Sequence, residues 1–119
     1  MKLFLILVTM FLSNVTQAAV GSNDYELIAA SQTAQVMGPD TITTKTGQIL
    51  EKLIIVPETT AAGTVAIKDG SGSAINVFVS GTLSDLHTIV IPINAISVTG
   101  SWQVTTGANV HVIAVGRFN

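Results

Sequence analysis

Two β-branched runs meet across an Asp-Gly turn in the middle of this chain, and the rest of the fold is built around them. The first is Thr64-Val65-Ala66-Ile67-Lys68, the second Ala74-Ile75-Asn76-Val77-Phe78-Val79, with Asp69-Gly70-Ser71-Gly72-Ser73 between. Runs of this kind around an Asp-Gly pair are the sequence signature of a β-hairpin. Val65 and Ile67 alternate with Thr64, Ala66 and Lys68, and Ile75, Val77 and Val79 alternate with Asn76 and Phe78. A period of two gives each strand one face to bury.

The remaining segments follow the same rhythm. Ile49-Leu50-Glu51-Lys52-Leu53-Ile54-Ile55-Val56 is the longest apolar strand candidate. An apolar run without alternation is the mark of a strand covered on both faces. Pro57 ends its pairing, and Pro92 is expected to stop a strand over His87–Ile91, because proline has no N–H for the ladder. Ala95–Thr99, Trp102–Thr106 and Val110–Val115 read as further strands separated by Gly100-Ser101 and Gly107-Ala108-Asn109. Upstream, Tyr25–Ala30 fits a strand or a short helical turn, and Ser31–Met37 reads as extended. Strands spaced by about 8–12 residues, with turn signals between and no clear helix, predict a sandwich or barrel. The expectation is an all-β, antiparallel β-sandwich of about eight strands, jelly-roll-like wrapping included, as one domain over residues 19–119.

Charge narrows the function classes. Charged residues make up 10% of the chain, against about 25% in ordinary domains. The polar surface is left to Thr, Ser, Asn, Gln and Gly, which do little to keep copies apart. The formal charge is −2, with no basic cluster, so nucleic acid is not an expected partner. The chain has no cysteine, which excludes disulfides, thiolate metal sites and a cysteine nucleophile.

Residues 1–18 read as a leader. Lys2 is followed by the apolar run Leu3–Leu12, and Thr16 and Ala18 supply small residues before a cut after Ala18. That is the layout of a secretory signal peptide. The run is shorter than the roughly 20 residues of a membrane span, so a membrane is a partner only if the leader is retained as an anchor.

Clusters that would carry catalysis are thin. Ser84, Asp85 and His87 lie together in sequence, but a Ser–His–Asp triad draws its members from separated elements. They read as a polar loop entering a strand. The Asp69–Ser73 run has oxygen ligands at alternate positions yet lacks the later bidentate carboxylate of a calcium loop, and reads as a turn. His87 and His111 are the only histidines, too few for a zinc site. His111 reads as half-buried and hydrogen-bonded at a seam, with a pH-sensitive contact between subunits as the sharper alternative. Trp102, the only tryptophan, reads as core, with a ligand platform as the minority reading. His111, Ile113, Val115 and Phe118, on the last strand and tail, are the candidate subunit interface. No cofactor, metal or catalytic residue is expected.

The runs Leu53–Thr60, Gly63–Phe78 and Trp102–Gly116, taken together, resemble small structural proteins of tailed bacteriophages, over roughly Ser31 to Phe118. The pieces are an apolar strand ending in proline, Ile67-Lys68-Asp69-Gly70, and Thr105-Thr106-Gly107-Ala108-Asn109-Val110. The resemblance implies a virion location on the phage head and a capsid decoration or cement role. It also implies a homotrimer, with the major capsid protein or other virion proteins as partners. The leader is outside that pattern, since capsid parts assemble without export. The alternative expectation is a secreted or periplasmic β-sandwich that binds a glycan or host surface, with Trp102 exposed.

Overall fold

The computed structural model describes residues 24–79 and 86–119. Among the described residues the chain forms eight strands and no helix. They are β1 (Asp24–Ile28), β2 (Gln35–Val36), β3 (Ile49–Pro57), β4 (Val65–Asp69), β5 (Ile75–Phe78), β6 (Ile89–Ile96), β7 (Trp102–Thr106) and β8 (Val110–Arg117). The leader, together with Ser84 and Asp85, lies outside the described residues.

Pairing follows one rule. β1 pairs β8, β2 pairs β7, β3 pairs β6 and β4 pairs β5, all antiparallel. The chain is thus one long antiparallel ribbon doubled back at the β4–β5 turn. Rolling that ribbon brings β3 against β8 and β4 against β7, giving two four-stranded sheets of order β1-β8-β3-β6 and β2-β7-β4-β5. This is a jelly-roll β-sandwich.

The core lies between the sheets. From the first sheet come Ile28, Leu50, Leu53, Ile55, Val110, Val112 and Ala114; from the second, Val65, Ile67, Trp102 and Val104. Phe118 closes the core from the C-terminal tail. The loops at one end are tied by polar contacts. Ser101 N–H donates to the Thr43 carbonyl at 2.9 Å, and its hydroxyl to that of Ile42 at 2.6 Å. Gly70 and Gly100 touch here: a Cβ on Gly70 would lie 2.3 Å from the Gly100 nitrogen.

Two sequence expectations are corrected. Pro92 does not stop its strand: β6 runs through it, opposite Lys52. β6 is the edge of its sheet, where proline is tolerated, and it carries an extra residue near Asn94, which takes φ +53. In β5 the simple alternation fails. Val65 faces Phe78 while Ala66 faces Asn76, so Val77 is a bulge. The inserted residue shifts the parity and turns Phe78 toward the core. Val77 and Phe78 are both partly buried there, and Ile75 and Val79 are exposed.

Candidate assembly surface

The outward side of the β1-β8-β3-β6 sheet is the most unusual surface of the molecule. Residues paired across strands share a face. On β8, Val110, Val112 and Ala114 point into the core, which sends His111, Ile113 and Val115 outward. Tyr25 pairs with Val115 and Leu27 with Ile113. On the other side, Ile54 pairs with Ile113, Val56 with His111 and Lys52 with Val115. Val90 then pairs with Ile54, and Pro92 with Lys52. An antiparallel sheet that faces water alternates apolar inside with polar outside. Here the outward row is aliphatic or aromatic across all four strands, broken by Lys52 and His111. Tyr25 is 69% exposed, Leu27 64% and Val90 55%. Nothing among the described residues covers them.

Three of the four candidate interface residues therefore stand together: His111, Ile113 and Val115. Phe118 does not join them. Continuing the alternation past Arg117 turns it inward, and it is buried in the core. Sequence reasoning did not place Tyr25, Leu27, Ile54, Val56 or Val90 on this surface. The available signal was the mixed parity of the apolar residues in β3.

The polar contact on this face is His111 Nδ1 with Glu58 Oε1, at 2.9 Å. Both side chains are about two-fifths exposed, at 39% and 42%. Glu58 follows β3 directly, and its N–H donates to the Asn109 carbonyl at 2.8 Å, so backbone pairing holds the two side chains beside each other.

The other sequence candidates are placed as follows. His87 is exposed. Among the described residues no group of three or more His, Cys, Asp or Glu side chains gathers to hold a metal ion. The Asp69 carboxylate is held by the β6–β7 loop: it accepts from the N–H of Val98 at 2.9 Å and of Thr99 at 3.1 Å. Partial desolvation works to raise its pKa, but these N–H groups and the Thr99 hydroxyl outweigh it and hold the carboxyl below its usual value. The Asp69–Ser73 run is a turn with its carboxylate already engaged.

Trp102 is buried, and its indole Nε1–H donates to the Gln48 carbonyl at 3.0 Å. It offers no stacking platform. An open groove of about 460 Å³ lies beside β1, lined by Asp24, Tyr25, Glu26, Gly38, Pro39 and Phe118. In it the Glu26 carboxylate accepts the Gly38 N–H. Burial pushes this carboxyl above its ordinary value, the Gly38 bond opposes that, and Asp24 adds to the rise.

No family model matches the chain. No curated protein matches it. Among solved structures it is similar to a chain of the virus-like particle of extra small virus from the giant freshwater prawn Macrobrachium rosenbergii. That alignment covers 79% of this chain and 77% of the other, at 16% identity and a TM-score of 0.28, a slight likeness.

Proposed function

We propose that this chain is a non-enzymatic structural protein of a virus particle. In this reading it is a capsid decoration or cement component that associates with copies of itself and with other virion proteins. One observation carries the reading: a complete sheet presents aliphatic side chains on both faces, and the described chain covers one of them. Apolar patches above about 300–600 Å² are uncommon on monomers and mark interaction surfaces. The sequence resemblance to small phage structural proteins points the same way and brings with it the virion location and a three-fold ring. A protein that binds only the assembled particle stabilises that state by mass action, so affinity for neighbours is the whole of its work.

The test is the mass of the purified full-length chain in solution, by sedimentation equilibrium. Self-association is the expected result. A chain that stays monomeric at high concentration would remove the reading.

A further inference from the structure

We infer that the outward face of the β1-β8-β3-β6 sheet binds the same face of a second copy, about a two-fold axis lying across the strands in the middle of β3. This rests on the assembly reading above and names the partner and the geometry.

Size fits the occupant. Four strands at about 4.8 Å spacing and eight residues at about 3.3 Å rise give a face of roughly 400–500 Å² in projection. Side-chain relief raises the accessible area toward the ~800 Å² per partner of a stable interface. Composition fits as well. Both partners in such a contact offer the same aliphatic row, and two such sheets stack about 10 Å apart with their strands nearly aligned.

The charges supply the orientation. Lys52 stands toward one end of the outward row of β3, and Glu58, bonded to His111, lies just past the other end. A two-fold axis between Ile54 and Val56 reverses the strands of the second copy. It sets each Lys52 over the Glu58 of its partner. The opposite alignment, with strands running the same way, would put like charges together, which costs affinity and specificity. An isologous contact of this kind is complete in a dimer and can equally join two rings.

Sedimentation equilibrium at pH 8 on three full-length chains tests this: wild type, Lys52→Glu and Glu58→Lys, each checked for native circular dichroism. Each single variant places two repulsive contacts in its own dimer, and its association is expected to weaken about tenfold or more. An equimolar mixture of the two variants rebuilds both attractive contacts and is expected to recover association near that of the wild type. If the wild type associates and the mixture does no better than either variant alone, the two-fold contact is wrong and the assembly reading stands. If the wild type does not associate, both fall.

Discussion

Gln48 and Trp102 are hydrogen-bonded to each other twice. The Trp102 backbone N–H donates to Gln48 Oε1 at 2.9 Å, and its indole Nε1–H donates to the Gln48 carbonyl at 3.0 Å. Gln48 Nε2–H also donates to the Met37 carbonyl at 3.0 Å, and the Gln48 N–H donates to Ser97 Oγ at 3.0 Å. Gln48 is fully buried; its side-chain amide ties the start of β7 to the end of β2, and its backbone N–H holds the end of β6 beside the start of β3. In a domain without disulfides, this is how four separate segments are pinned at one end of the sandwich.

Removing that amide should be costly. Gln48→Ala leaves the Trp102 N–H and the Met37 carbonyl buried without partners, at about 1–3 kcal/mol for each group. The expected loss of stability is about 2–6 kcal/mol. Denaturant unfolding followed by the fluorescence of the only tryptophan measures it. A loss below about 1 kcal/mol would mean that water replaces the amide.

Much of the sandwich is legible in the residues, and the exceptions have local causes. The alternation in Val110–Val115 sets the two faces of β8, and extending it to residue 118 turns Phe118 inward. Grouping Phe118 with His111 ignored that parity. β3 shows apolar residues at both parities, which announces a sheet with two apolar faces, but not which strands share the outer one. That depends on pairing between residues as distant as Tyr25 and Val115. The Val77 bulge is silent in sequence because Val77 and Phe78 are both apolar, and either suits the core. Pro92 misleads because its effect depends on whether its strand is central or at an edge. Gln48 is silent too: an amide beside Thr-rich loops looks exposed until Met37, Ser97 and Trp102 close over it.

Glu26 should make stability depend on pH. Its carboxyl is raised above 4.5, chiefly by burial, so the folded chain holds that proton more tightly than the unfolded chain. The resulting stabilisation is fully present below the unfolded value and is lost as pH rises through the folded one. Glu26→Gln keeps an acceptor for the Gly38 N–H and carries no charge. The variant is expected to melt above the wild type at neutral pH, with the two curves converging below pH 4.5. Thermal melts across pH measure the gap, and an equal gap at every pH would rule the burial argument out.

Asp69 should act in the opposite sense. Its carboxyl lies below 3.8 when folded, because the Val98 and Thr99 N–H groups outweigh desolvation. Its stabilisation is present above the unfolded value and is lost as pH falls through the folded one. Asp69→Asn retains one acceptor oxygen and loses the charge. It is expected to be less stable than the wild type at neutral pH, with the difference closing under acid. Melting temperatures measured across the acid range decide it: a deficit that persists there would point to altered turn geometry.

Gly116 and Gly47 separate two reasons for a glycine. A Cβ on Gly116 would sit 1.9 Å from the Ile49 carbonyl oxygen, while one on Gly47 would meet nothing within 4 Å. Gly47 instead has φ +80, a left-handed conformation that costs a side-chain-bearing residue about 1–2 kcal/mol. Gly47→Ala should therefore cost that much, with β3 and β8 undisturbed. Gly116→Ala meets backbone that cannot step aside without spreading β3 from β8, since Ile49 and Leu50 pair with Arg117 and Gly116. Overpacking against a paired strand costs about 1–3 kcal/mol or more. Part of the cost should appear as faster hydrogen exchange at the β3–β8 seam, because the strain acts on that pairing. Equal losses for the two variants, with unchanged exchange along β8, would mean that the strands accommodate the methyl group and that Gly116 is not needed for their close approach.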